Sequence, residues 1–229
     1  MITYENKLIT IERPQDADTL RKALIANAYS IIDVSAINQR QIFEEILGPI
    51  HGKWDLDRPF HVYQSNGRWI TEGISTCGLV ALGLWRRMNV DMSSLYQPYI
   101  FGTAVSSIVG FAKKNNAWQP AWKGPLSDLH PQFGDCCIIG QDINTHVLTT
   151  VGYSDGNNTQ LISVDGGQTG VKNLQCIKKV QRDWVQKGAN NIFQPYLGTR
   201  ILQGWVIFDL LPFKDSTIIV PENWESITI

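Results

Sequence analysis

The most informative stretch of the sequence is STCGLVALGLWRRM, residues 75–88. Its larger apolar side chains recur at every fourth position, as on the buried face of an amphipathic helix: Val80, Leu84 and Met88. Thr76 or the serine before it can cap the first turn, and two arginines near the end complement the helix dipole. The pattern predicts a buried helix with Cys77 in its first turn.

Cys77 is a candidate nucleophile because of this position. The unpaired backbone amides at a helix N-terminus carry partial positive charge, which favours the thiolate form of a cysteine. Gly78 leaves room for a substrate carbonyl, and the Cys77 amide is a candidate donor to the oxyanion formed on attack. A small cysteine on an amphipathic helix is also an ordinary core residue, so the hypothesis needs a base nearby.

A histidine and a carboxylate follow later in the chain. His146 begins a predicted strand, and a second predicted strand, 160–165, follows the turn SDGNN at 154–158. A hairpin about this turn brings Asp165 opposite the residues just after His146, where its carboxylate can orient the imidazole. Taken singly, the histidine also fits a hydrogen-bonded structural role, and the aspartate fits a turn before a Gly-Gly pair. Together, the three residues predict a Cys77–His146–Asp165 triad.

The composition indicates one globular domain and argues against several classes of partner. A chain of 229 residues can bury a sizeable core, so we expect a single catalytic domain over residues 1–229. The formal net charge of −1 provides no field to attract nucleic acid or an anionic membrane. The N-terminus lacks the basic and apolar regions of a secretory signal, which predicts a soluble chain that is cytoplasmic as synthesised.

The periodicity of apolar residues predicts an α+β architecture in three parts. Residues 1–50 are expected to form a helical N-terminal extension, residues 54–211 the core, and residues 212–229 a C-terminal tail. The predicted helices span 16–29, 38–47 and 104–114 besides the helix of Cys77, and the predicted strands span 136–139, 146–153, 160–165 and 204–210. This order favours a helical N-terminal part packed on a central antiparallel sheet.

A zinc site is the main alternative use of the cysteines and histidines. Its ligands would come from Cys136, Cys137, His130 and His146. Neighbouring residues of a strand point to opposite faces, so Cys136 and Cys137 cannot easily reach one tetrahedral ion. The sequence therefore predicts no metal and no other cofactor.

Three segments resemble the NlpC-type cysteine peptidases and the related CHAP amidases, which share a papain-like fold. In those families a cysteine followed closely by a glycine starts a helix, a Gly-Asp pair opens the next strand, and a histidine begins the strand after it. The matching segments are residues 75–84, Phe133-Gly134-Asp135 and 144–153, and Asp165 matches the polar third residue of the families. The resemblance covers roughly residues 69–167 and implies a papain-like fold with the nucleophile at a helix N-terminus.

The resemblance also implies substrate-binding positions. Thr76 and Gly78 flank the nucleophile, where the NlpC-type pattern has an aspartate before the cysteine and a serine and glycine after it. The families' upstream Tyr-x-x-Gly-Gly run is missing, and Tyr63 or Trp69 is the candidate for the tyrosine near the thiol.

The function that this resemblance implies is hydrolysis of an amide bond, with a peptide or peptidoglycan fragment as substrate. Two alternatives remain open: a papain-fold effector or toxin that deamidates or transamidates a protein side chain, and a catalytically silent binding module. A toxin would have an immunity or inhibitor protein as partner. Action on a cell wall would require delivery by a secretion system, a phage or lysis, and the sequence predicts no oligomeric state.

Overall fold

The computed structural model describes residues 7–34, 40–47, 61–65, 68–72, 76–95, 103–121, 129–140, 145–169, 175–189 and 192–227. The helices in these ranges are α1 (Ala17–Ser30), α2 (Arg40–Leu47), α3 (Cys77–Arg87) and α4 (Thr103–Lys114). The strands in order are β1 (Leu8–Glu12), β2 (His61–Ser65), β3 (Arg68–Glu72), β4 (Trp118–Pro120), β5 (Cys136–Ile139), β6 (His146–Tyr153), β7 (Gln160–Thr169), β8 (Gln175–Ala189), β9 (Ile192–Leu197), β10 (Arg200–Val206) and β11 (Thr217–Pro221).

Six of these strands form a closed antiparallel barrel. Their order is β10-β5-β6-β7-β8-β9, and β9 pairs back to β10 through Leu197 with Arg200 and Tyr196 with Ile201. The short β4 adds to the far side of β10. Closure leaves the six strands without a free edge along these pairings.

The barrel strands contribute side chains to two separate apolar clusters. The interior cluster draws buried residues from five of the six strands: Cys137, Ile139, Leu148, Leu161, Leu197, Leu202 and Trp205. The helix-facing cluster joins the outer side of the barrel, through residues such as Ile138, Val147 and Val164, to α1, α3 and α4. Helix α3 is buried on nearly all sides, as expected for a helix that is apolar all round.

The predicted fold class is wrong. The sequence favoured a helical N-terminal part packed on a central papain-like sheet, but the described chain is mostly strand, and its main sheet closes into a six-stranded barrel. The predicted helical extension, residues 1–50, is not purely helical either, because it contains β1. Closure depends on β8 and β9, neither of which the apolar periodicity predicted.

Several local predictions agree with the structure. The helices at 16–29, 75–88 and 104–114 are confirmed within one or two residues at each end, and the β6–β7 hairpin is present. Asp16 caps α1 by accepting a hydrogen bond from the Thr19 amide at 2.8 Å. The last barrel strand is Arg200–Val206 rather than 204–210, and a 3₁₀ turn at Phe208–Leu210 follows it.

The segment predicted as a C-terminal tail contains a strand that returns to the beginning of the chain. Strand β11 pairs antiparallel with β1, and it buries Ile218 and Val220 completely. The same strand contacts α1, since the side-chain Nδ2 of Asn27 donates to the Ile219 carbonyl at 2.7 Å. Among the described residues, no helix is both long and apolar enough to cross a membrane.

Candidate functional site

Cys77 is the first residue of α3, as the sequence predicted, and 6% of its surface is exposed. The predicted side-chain cap is wrong for Thr76: its backbone lies in the right-handed helical region, and its hydroxyl makes no capping bond. The Thr76 amide instead donates to Gln175 Oε1 at 3.0 Å, while its carbonyl accepts from the Val80 amide. The first turn of α3 is thus tied to β8, and Thr76 gives it no side-chain cap; Ser75, the other predicted cap, lies outside the described residues.

His146 and Asp165 meet as the hairpin predicted. His146 begins β6, Asp165 lies in β7, and the distance from Nε2 of the imidazole to Oδ2 of the carboxylate is 2.8 Å. Both side chains are buried, with the carboxylate fully enclosed. Because Nε2 faces the carboxylate, Nδ1 is the ring nitrogen left for a second partner.

The thiol of Cys77 is that second partner. Its side chain hydrogen-bonds to the His146 ring. Burial lowers the pKa of His146, but the hydrogen bonds to Asp165 and Cys77, together with their negative charges, outweigh it and raise the pKa to about 9. An imidazolium beside the thiol favours a thiolate–imidazolium ion pair, which is the reactive form of a catalytic cysteine.

Asp165 is held by two further side chains that the sequence reasoning missed. Ser163 Oγ donates to Oδ1 at 2.6 Å, and Arg182 Nη2 donates to Oδ2 at 2.5 Å. Burial raises the pKa of Asp165, but the hydrogen bond from His146 and the charge of Arg182 prevail, so that its pKa is lowered. The carboxylate therefore remains ionised inside the barrel.

Strand β7 approaches the helix start through Gly166. A Cβ at this position would lie 2.5 Å from Val80 Cγ2 and 2.7 Å from the Thr76 carbonyl oxygen. The register of β7 against β8 also shifts between Asp165 and Gln168. Only glycine fits this approach, which carries Asp165 toward the nucleophile.

The other predicted substrate-binding residues have different outcomes. Thr76 and Gly78 lie beside Cys77 and are buried. Tyr63 lies on β2 and Trp69 on β3, one pair apart in register, but their side chains lie outside the described part of the chain. Gln168 was not predicted, and its amide nitrogen is 3.5 Å from His146 Nε2.

The remaining three cysteines are in different surroundings from Cys77. Cys136 faces the helices and Cys137 faces the barrel interior, so the adjacent pair points to opposite faces. Burial raises the pKa of Cys136, Cys137 and Cys176 above that of an ordinary thiol. Within the described ranges, no group of three or more His, Cys, Asp or Glu residues could hold a metal ion.

Comparison with known proteins adds no assignment to this geometry. No protein-family model matches the sequence, and no curated protein or solved structure matches it significantly. The resemblance to NlpC-type peptidases therefore depends on the quoted residues alone.

Proposed function

We propose that this chain is a cysteine hydrolase that cleaves an amide bond, with Cys77 as nucleophile, His146 as acid and base, and Asp165 as the group that orients the imidazole. One observation carries the proposal: the hydrogen bonds run without a break from the thiol at the start of α3, through the imidazole, to a buried carboxylate. A structural histidine needs one such partner, whereas a thiol and a carboxylate on opposite sides of one imidazole form a nucleophile, base and orienter.

The reaction follows from the ion pair. The Cys77 thiolate attacks the amide carbon, and the partial positive charge at the start of α3 stabilises the negative charge that develops on the carbonyl oxygen. The C–N bond then breaks as the His146 imidazolium gives its proton to the leaving amine, and a thioester remains. Neutral His146 next takes a proton from water, the water oxygen attacks the thioester carbon, and the C–S bond breaks to release the acid and the thiolate.

The proposed substrate is an amide bond in a peptidoglycan stem peptide. The support for it is the order of Cys77, the Gly134-Asp135 pair and His146 in the sequence, which resembles that of NlpC-type peptidases. Asp135 itself is buried and bonded to Arg21 at 2.8 Å, so its place in the motif is structural.

Alkylation by iodoacetamide at pH 7 tests the cysteine chemistry. We expect Cys77 to react before the other three thiols, because burial raises their pKa values whereas Cys77 contacts an imidazolium. The His146→Gln variant should lose this preference. Equal labelling of all four thiols in the wild type, read by peptide mass spectrometry, would indicate a silent binding module instead.

Purified peptidoglycan fragments test the substrate. We expect the wild type to release a new amino group from a stem peptide, Cys77→Ala to release none, and the control Cys176→Ala to retain activity. A reactive Cys77 with no peptidoglycan product would contradict this substrate, while the cysteine mechanism would stand.

A further inference from the structure

A partly buried arginine, Arg182, occupies the interior side of the barrel beside the proposed catalytic site. Arg182 lies opposite Leu161 in the β7–β8 register, and opposite residues of an antiparallel pair point to the same face. Leu161 belongs to the interior cluster, so the side chain of Arg182 starts on the interior side. Only 14% of that side chain is exposed. A charged group in such a place needs a specific partner.

Arg182 donates hydrogen bonds to two residues, which are also hydrogen-bonded to each other. Its Nη2 donates to Asp165 Oδ2 at 2.5 Å, and its Nη1 donates to Ser163 Oγ at 2.8 Å. The Ser163 hydroxyl in turn donates to Asp165 Oδ1 at 2.6 Å. The two prongs of the guanidinium therefore fix both oxygens of the carboxylate, one directly and one through the serine.

This arrangement restricts how Asp165 can face His146. A carboxylate with one partner can rotate about its Cβ–Cγ bond, but here Oδ1 is held by Ser163 and Oδ2 is shared between Arg182 and His146. The imidazole is consequently held with Nε2 toward the carboxylate, which leaves Nδ1 as the ring nitrogen for the thiol. Removing Arg182 would also leave a buried carboxylate with less opposing charge.

We infer that Arg182 is a positioning residue, whose forked guanidinium acts through Ser163 and Asp165 to hold the His146 imidazole in the orientation that Cys77 requires. This inference rests on the proposed function. It adds a fourth residue, distant from the nucleophile in sequence and without contact to the thiol in the proposed chain of hydrogen bonds.

The charged and titratable groups around the Asp165–His146 pair come from four elements. They are Cys77 on α3, Asp165 on β7, Arg182 on β8, and Cys136 and Cys137 on β5. Cys136 interacts electrostatically with Cys77, and Cys137 with Asp165 and Arg182. Lys178 lies opposite Asp165 in the β7–β8 register. Arg182→Gln thus removes one of the two cations that contact the Asp165 carboxylate, and the His146 imidazolium remains.

The test is the rate of Cys77 alkylation by iodoacetamide between pH 5 and 10, for the wild type, Arg182→Lys and Arg182→Gln. We expect about a tenfold loss of rate at pH 7 in Arg182→Gln, since members of one hydrogen-bond network couple at about that scale. Loss of a positive charge beside the Asp165–His146 pair should also favour the His146 imidazolium. The high-pH part of the rate profile, where this imidazolium loses its proton, should therefore shift to higher pH. Arg182→Lys keeps the positive charge but lacks the two-pronged guanidinium. The high-pH part of its rate profile should therefore stay at the wild-type pH, while its alkylation rate falls.

A double-variant comparison shows whether Arg182 acts through Asp165. In the Asp165→Asn background, adding Arg182→Gln should change the rate little, because the group through which the arginine acts is already lost. A further drop of the same size in that background would overturn the inference. The inference would also be overturned if Arg182→Gln or Arg182→Lys alone had the wild-type rate and pH profile.

The fold and the proposed function have separate readouts. Thermal unfolding of each variant shows whether it folds. If Arg182→Gln does not fold, the alkylation rate of Arg182→Lys tests the role of Arg182. A wild-type Cys77 that reacts no faster than the other thiols would contradict the proposed function itself. A reactive wild type with an unaffected Arg182→Lys would contradict only the role of Arg182.

Discussion

His146 determines the charge state of the candidate site, because it lies between a thiol and a carboxylate. The pKa of about 9 means that the imidazole is protonated at neutral pH in the folded protein. In the unfolded chain the same group titrates near 6.5. The site therefore couples folding to proton binding in the range between these two values.

The first residue-scale prediction concerns the pH dependence of stability. A pKa raised on folding contributes stability that is fully present below about 6.5 and is lost as the pH rises through about 9. The difference in free energy of unfolding between the wild type and His146→Gln should therefore fall by about 3 kcal/mol from pH 6 to pH 10, which corresponds to the shift from 6.5 to about 9.

Urea denaturation at a series of pH values gives this difference. Carboxylates and thiols that titrate alike in both proteins cancel when the two curves are subtracted. A difference that stays constant between pH 6 and pH 10 would contradict a protonated His146. A difference that grows with pH would mean that burial, which lowers the histidine pKa, prevails over its partners.

At the residue scale, the sequence predicted the positions of three of the residues that meet at the site. Cys77 could be found because a helix start is a local pattern, and His146 and Asp165 because one hairpin brings them together. Arg182 and Ser163 could not, since an arginine and a serine on an alternating strand are usually solvent-facing. Only the curvature of β7 and β8 into a barrel turns these side chains inward, and that is not a property of either strand alone.

At the element scale, the contact between α3 and β7 determines whether the triad assembles. Gly166→Ala should destabilise the protein by about 1–3 kcal/mol, because the added methyl group overlaps backbone and side-chain atoms of the first turn of α3. The carbonyl oxygen of Thr76, at 2.7 Å, belongs to the backbone and cannot move aside by changing a rotamer. Separation of β7 from α3 should also slow alkylation of Cys77.

Gly152→Ala is the matched control. It lies on the neighbouring strand β6, also beside a register shift, and a Cβ there would have no atom within 4 Å. We expect its urea midpoint and its Cys77 alkylation rate to remain within experimental error of the wild type. Equal effects of the two substitutions would contradict the close approach at Gly166.

Helices were predicted better than strands, for a physical reason. An apolar period of 3.6 residues is visible within one segment, so α1, α3 and α4 could be located from their own residues. Strand β8 alternates burial over much of its length, but its buried side is partly polar, with Arg182 at one of those positions. Hydrophobic alternation is therefore weak where the hydrogen-bond network of Asp165 enters the barrel, and β8 and β9 were missed.

At the scale of the whole molecule, two non-local strand pairings could not be predicted from the sequence. The barrel closes through two residue pairs between β9 and β10, and the two ends of the chain meet through five pairs between β1 and β11. Neither pairing has a local signal, because each depends on where the intervening chain leads. The second pairing also contacts the chain just after α3, since the side-chain Nδ2 of Asn89 donates to the Thr217 carbonyl at 2.6 Å.

This last contact leads to a prediction about cooperativity. Ile218 is fully buried on β11, so Ile218→Ala should lower the free energy of unfolding by about 2–5 kcal/mol. If residues 1–229 form a single domain, the loss must appear equally in tryptophan fluorescence and in exposure of Cys77 to iodoacetamide during urea unfolding. Leu8→Ala, on β1 and 37% exposed, should change either midpoint little. If Ile218→Ala shifted the fluorescence midpoint while Cys77 stayed protected to the wild-type urea concentration, the β1–β11 sheet would unfold separately from the candidate site around Cys77.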